Sequence, residues 1–435
     1  MIIKTVSQLL GKALQRIIPS SKSNSISPSA PDAVSTEALK ALKPVAVADI
    51  GHWVLFERKQ GTMYCVGSLS VDKYITVPAD KLTLVMETID LMDGCHSIGE
   101  IQTYHRQKYA KEMDVVQFYN LLQRAALILD PPPDPEQVSK SEFLRLSTRL
   151  ISVDLEWFFR LARPLILVLR YPLLLITAVI IMGGISIFPV NALFSPNSYQ
   201  LLNSYSIGLV AMLVGVSVAV FLHEFSHSIV AVWYGLTPRS LKVVLYLGFS
   251  MFFFVQIPGI YTLKPGQRIK IWLAGVYANA FLGCLLLLVR QFASPGSQQD
   301  LLMNLALSNF ILVAGNLYPF VPTDGYFLLT TILKIPNLRS DAFEVIRSAV
   351  SGGNIRIRLS VVAYLIVSLT IIIKFIIMQG YWLARMMREL LFSRPTHLTF
   401  EYILKAGVVL LIVITIVNVV SRQFKRFRRR KLSST

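Results

Sequence analysis

IGLVAMLVGVSVAVFLHEFSHSIVAVWYG, residues 207–235, is the stretch that decides the fold. It is long and apolar enough to cross a bilayer, whose hydrocarbon core takes about 20 helical residues. Yet His223, Glu224 and His227 interrupt it. Ionisable groups at membrane depth are costly and point to function by default. Histidines at i and i+4 stand one above the other on one helical face, so both imidazoles can reach one metal ion. Glu224 then lies beside the metal, where it can take a proton from bound water. Zn²⁺ would lower the pKa of that water to about 7.

Working outward, the whole chain has a membrane composition. Of its 435 residues 54% are hydrophobic and only 16% charged, whereas a soluble domain is about a quarter charged. The net charge of +18 would suggest nucleic acid in a polar chain. Here it suggests an anionic lipid surface. Three cysteines (Cys65, Cys95 and Cys284) are too few and too odd for a disulfide framework. Six apolar stretches are long enough to span: 171–190, 207–233, 269–290, 302–322, 358–379 and 402–420. These predict a polytopic α-helical membrane protein. Basic residues crowd before the first span, in 234–270, before the fifth span and in the tail 422–435, while 191–206 and 291–301 carry none. Both termini are therefore expected in the cytosol, with the plasma (inner) membrane as the site of residence. Only loop 380–401, with Arg385, Arg388 and Arg394, weakens the alternation.

A zinc site needs a third protein ligand. Beyond Leu161 the other histidine is His397, and the acids besides Glu224 are Asp300, Asp324, Asp341, Glu344, Glu389 and Glu401. Asp324 stands at the end of an apolar span, in NLYPFVPTDGYF. Its expected depth matches that of His223 and His227. Pro319 and Pro322 would break the helix there, which is tolerated where irregular backbone lines a cavity. Between the second and third spans, LKVVLYLGFSMFFFVQIP (241–258) is rich in β-branched and aromatic residues. It reads as a re-entrant hairpin that offers a strand edge to an unfolded substrate.

The front of the chain is different. Residues 1–44 are expected to be an amphipathic and disordered segment, with SSKSNSISPSAPDAVS (20–35) as a linker. Residues 45–130 read as a small α+β domain. HWVLFE and KYITV are strand-like. Leu82, Val85, Met86, Ile89 and Met92 form one helical stripe, and a second helix follows around 98–109. Asp114 is an N-cap candidate for a third helix, expected to bury Val115, Phe118, Leu121, Leu122 and Ala125. Strands followed by three short helices describe a winged-helix-like domain. Over 51–129 there are 8 basic and 9 acidic residues, so no nucleic-acid partner is expected. Residues 131–160 are expected to be a linker, 161–335 the catalytic membrane core, 336–421 accessory spans and 422–435 a basic tail.

HEFSH in a span, followed about a hundred residues later by NLYPFVPTDG, resembles the site-2-protease family of intramembrane zinc metalloproteases. That family pairs HExxH with NxxPxxxxDG. The resemblance implies His223, His227 and Asp324 as zinc ligands and Glu224 as catalytic base. LAGVYANAF resembles the family's AGPxxN at Gly275 and Asn279, with Val276 in place of the usual proline. It implies that Asn279 and Asn316 bind the substrate or the reacting centre. In the front domain, MDGCHSIGEIQTYHRQKY followed by DVVQFYNLLQRAALI resembles PqqD-like domains, which bind leader segments of ribosomally made peptides. The combination resembles peptide zinc metalloproteases that work beside peptide-modification enzymes and exporters.

The reading is a zinc endopeptidase with a peptide or membrane-protein substrate. Two rivals remain at this point. A non-proteolytic adaptor handing a peptide to an exporter would need a vestigial metal site. A transporter using His-Glu-His as a proton relay would leave the matching depth of Asp324 unexplained.

Overall fold

The computed structural model describes residues 36–58, 61–109, 113–129, 147–199, 201–202, 205–246, 250–320, 323–351 and 360–371, with isolated positions from 373 to 417. Residues 1–35 of the expected N-terminal segment, its linker 20–35 included, and the basic tail lie outside these residues, as does most of the sixth expected span. The described chain divides into two compact units. One takes the residues up to 129 with 261–265 and 329–371, and the other takes 147–260 with 266–328.

In the first unit a short helix α1 (Thr36–Ala41) precedes β1 (Ile50–Arg58), β2 (Gly61–Ser68) and β3 (Lys73–Pro78). The three strands form an antiparallel sheet in that order, with a bulge between Val54 and Phe56. Helices α2 (Ala79–Asp90), α3 (Ile98–Tyr109) and α4 (Val115–Arg124) follow. One face of the sheet packs with them around Val66, Val85, Ile89, Met92, Ile98, Ile101 and Leu122. Leu55, Phe56 and Cys65 make a smaller cluster. Two N-termini are locally encoded. Ser97 and Glu100 close a capping box, Ser97 N donating to Glu100 Oε2 at 2.7 Å and Glu100 N to Ser97 Oγ at 3.3 Å. Asp114 caps α4 by accepting from Gln117 N at 2.9 Å.

One expected core residue is corrected. Leu121 is 49% exposed, and Tyr119, at 2%, takes the buried place. Tyr119 is four residues after Val115, on the stripe of Phe118 and Leu122, whereas Leu121 falls on the flank. Residues far along the chain close this unit. Lys334 Nζ donates to Glu57 O at 2.6 Å, Arg58 donates back to Lys334 O, and the Tyr74 and Tyr261 rings meet edge to face at 5.7 Å.

The second unit begins with β4 (Ser147–Asp154), a strand inside the stretch 131–160 expected as linker. It pairs with β5 (Ser240–Tyr246), which pairs with β6 (Ser250–Gln256), giving an antiparallel sheet ordered β4-β5-β6. The expected hairpin at 241–258 is therefore a β-hairpin, with a third strand from across the chain. Helices α5 (Glu156–Ser186), α6 (Tyr205–Trp233), α7 (Pro265–Arg290) and α8 (Ser297–Asn316) make the helical part. Helix α9 (Asp324–Leu333) starts in this unit, while its last residues and α10 (Leu338–Ser351) belong to the first.

Among the described residues three helices are long and apolar enough to cross a membrane: α5, α6 from Val210, and α7. They correspond to the first three expected spans. The fourth expected span is the 20-residue α8, which opens on Gln298, Gln299 and Asp300 and buries Asn304, Ser308 and Asn309. The fifth is represented by the shorter apolar helix Ser360–Ile371. Helix α5 leaves Leu161, Val168, Leu175, Val179 and Met182 more than half exposed, an apolar surface of the kind that lipid covers. It meets α7 at Gly184, where a Cβ would lie 2.3 Å from Cys284 Cβ, so the helices approach as closely as small residues allow.

Candidate metal centre

Three segments, α9, α7 and β6, converge on the HEFSH turn of α6. The i, i+4 spacing sets the His223 and His227 rings 4.9 Å apart on one face, and both are buried, at 3% and 6% exposure. Asp324, the first residue of α9, reaches the same point. Its Oδ2 lies 2.9 Å from His223 Nε2 and 3.4 Å from His227 Nε2. Proline and a turn between α8 and α9 bring this about: α8 stops at Asn316, and Gly325 packs so tightly on the Asn316 and Leu317 carbonyls that a Cβ would be 2.3 Å from Leu317 O. An acidic residue is also favoured in the first turn of a helix.

The arrangement fits a metal ion. Asp324 Oδ2 is buried and faces the Nε2 atoms of two imidazoles at once. Donors held at about 2.0–2.1 Å around one tetrahedral zinc stand about 3.3 Å from each other, close to the 2.9 and 3.4 Å observed. His227 Nδ1 lies 2.6 Å from Ile271 O. A carbonyl can only accept, so Nδ1 carries a proton, which in the neutral ring leaves the Nε2 lone pair facing Asp324. Glu224 joins the two histidines in a group whose ligand atoms lie within 4.8 Å of one another. Its Oε2 accepts from Val255 N, on β6, at 3.2 Å.

Helix α7 forms the back wall. Ile271, Gly275 and Asn279 recur every four residues and so share one face. Asn279, fully buried, has Nδ2 at 3.0 Å from His223 Nδ1. Gly275 is required by space, since a Cβ there would sit 2.3 Å from His223 Nε2. The helix runs unbroken through Val276, where the resembled motif has proline.

Of the residues singled out in the sequence, the structure brings together His223, Glu224, His227, Asp324 and Asn279. Asn316 stands apart in its bonding: its Nδ2 donates to Leu312 O at 3.1 Å, one turn back in α8. Two participating groups, Ile271 O and Val255 N, belong to the backbone. No residue-type signal could have found them.

Over 117 residues the chain is 35% identical to a zinc metalloprotease of Methanocaldococcus jannaschii. The match takes in 27% of this chain and 32% of that protein, so the chain spans about a third of the length of the curated relative it matches. No protein-family model matches the chain, and no solved structure matches it. Zinc is the metal that this similarity implies, and the His-Glu-His group could hold one.

Proposed function

We propose that this chain is an intramembrane zinc endopeptidase of the site-2-protease type. The observation that carries the reading is the meeting of His223, His227 and Asp324 beside Glu224 in a helix able to cross a membrane. The similarity to an archaeal zinc metalloprotease supports the same chemistry.

His223 Nε2, His227 Nε2 and Asp324 Oδ2 would hold the ion. Zinc, when bound, supplies Lewis acidity that polarises a peptide carbonyl and brings the pKa of water near 7. Glu224 is the proton carrier: it takes the proton of the attacking water and passes it to the leaving amine nitrogen. Its bond from Val255 N holds one carboxylate oxygen in place. That bond also links the base to β6, one of the two edge strands of its sheet. An extended peptide added to that edge would run beside the base. A helical substrate must unwind first, because its carbonyls are engaged in i→i+4 bonds.

The fuller reading joins this core to the front domain. As a PqqD-like module that domain would capture a ribosomally made peptide or its leader, near the cytosolic face of the plasma membrane, in company with an exporter or a modification enzyme. Both chain ends would face the cytosol, with the basic tail against anionic lipid. The test is Glu224→Gln in the full chain, with zinc content measured beside a mass-spectrometric search for new peptide termini in membranes that carry it. Zinc should stay near one per chain, and the termini made by the parent should vanish. Termini that persist in the variant would remove Glu224 as the base.

A further inference from the structure

Asn279 has a chemical problem that the rest of the site does not share. Its side chain is fully buried, its Nδ2 faces His223 Nδ1 at 3.0 Å, and its Oδ1 is buried without any hydrogen-bond partner. A carbonyl oxygen buried without a partner loses its hydration and gains nothing in exchange. A carboxamide is nearly symmetric in shape, and half a turn about its last bond exchanges oxygen and nitrogen. The two orientations call for opposite tautomers of His223. With Nδ2 towards the ring, the amide donates to the Nδ1 lone pair, and the ring proton sits on Nε2, pointing at Asp324 Oδ2. With Oδ1 towards the ring, Nδ1–H donates to the amide, Oδ1 gains its partner, and the Nε2 lone pair faces Asp324.

Only the second state makes His223 a ligand. It is also the state that the neighbouring ring already has, since His227 Nδ1 donates to Ile271 O two turns back along the same face of α7. We infer that Asn279 is a positioning residue, whose amide oxygen fixes the Nδ1-protonated tautomer of His223 and so makes its Nε2 a metal donor. Asn279 and the Ile271 carbonyl are then equivalent supports, one under each imidazole, with Gly275 between them giving the rings room. This assigns the amide to the histidine and leaves it no contact with substrate. The inference rests on the metal centre proposed above.

The test is metal affinity, measured by chelator competition on the detergent-solubilised full chain. The visible absorption of the Co²⁺-loaded form reports ligand geometry independently of activity. Asn279→Leu keeps size and removes the acceptor, and should weaken zinc binding about 10–100-fold, the usual cost of losing a group that orients a metal-bound histidine. Asn279→Asp keeps an acceptor and offers no donor, so it should escape that loss of about 10–100-fold and keep the parent Co²⁺ spectrum. Equal affinity in parent and Asn279→Leu, or equal weakness in both variants, overturns the role of Asn279 while leaving the centre intact. A parent chain that binds no zinc removes the centre itself. If the Leu variant does not fold, ¹⁵N-histidine NMR of the zinc-loaded parent decides: a proton on His223 Nδ1 supports the inference, and metal on Nδ1 overturns it.

Discussion

Replacing Gly275 by Ala adds a single methyl group, and the structure states what it would meet. The new Cβ would lie 2.3 Å from His223 Nε2, 2.4 Å from Cε1 and 2.6 Å from Cδ2. Ordinary carbon–nitrogen contact begins near 3.4 Å, so the ring must retreat by about 1 Å. The helix cannot yield instead, because Ile271 and Cys284 on α7 are buried, and Gly184 of α5 lies against Cys284. Metal–ligand distances tolerate about 0.2 Å. A displacement several times larger removes His223 from the ligand set, leaving His227 and Asp324. Zinc affinity should therefore fall at least as far as on losing an orienting group, about 100-fold, and overpacking should cost about 1–3 kcal/mol of stability. The assay pairs chelator competition with thermal unfolding. Gly315→Ala is the control: a Cβ there meets nothing within 4 Å, and the change should be neutral or stabilising by about 0.4–1 kcal/mol. A folded Gly275→Ala chain with parental zinc affinity would refute the crowding argument.

Two further outcomes concern the front domain. Burial pushes the His105 imidazole below its ordinary range, the nearby Glu87 charge opposing it. The reason is visible: Thr88 gives its hydroxyl proton to Leu84 O, His105 Nε2–H donates to Thr88 Oγ1 at 2.9 Å, and the buried Nδ1 has no partner for a second proton. The folded state thus binds fewer protons than the unfolded, whose histidine titrates near 6.5. Stability from this residue is complete above about pH 6.5 and declines as pH falls below it. Amide exchange in α2 and α3 should therefore quicken between pH 7.5 and 5.5 beyond the intrinsic change, and His105→Leu should flatten that dependence. An unchanged dependence in the Leu variant would place the effect elsewhere. Asp114→Ala removes the cap of α4 and should cost about 1 kcal/mol in denaturant unfolding, with amides 115–118 exchanging faster; equal stability would mean that Gln117 N finds another acceptor.

How much of this could be read from residues alone varies with the range of the interaction. The i, i+4 histidines needed only a helix to face one another, so 223–227 was legible. Asp324 was legible because an acid ending an apolar stretch has few structural uses. The cap at Asp114 was local and readable. Strand β4 was not, since Ser147–Asp154 finds its partner more than 80 residues away in Ser240–Tyr246 and nothing nearby calls for a strand. Tyr119 and Leu121 differ by two positions on one helix, and only the direction of the packed face decides between them. Asn279 and Asn316 were equivalent as residue types. Geometry separates them, one amide on His223 and the other on its own helix.

The charge of the centre argues for a divalent cation on grounds separate from distances. With both imidazoles neutral and both carboxylates ionised, His223, Glu224, His227 and Asp324 carry a formal charge of −2. Among the described residues their side-chain contacts are with one another, with the Ile271 carbonyl, with the Val255 amide and with Asn279, and none is an ion pair with lysine or arginine. Two carboxylates this close in a buried site repel each other and lose hydration together, which costs several kcal/mol per ion unless opposite charge is supplied. One dication cancels the sum, and it does so at the point where three donor atoms already meet. A proton on the site would answer only half of that charge, and would occupy a lone pair that Asp324 Oδ2 or a histidine Nε2 otherwise offers. The same four side chains that are an electrostatic liability by themselves become a neutral group around a divalent ion. That is why the relay reading explains less of this structure than the metal reading does.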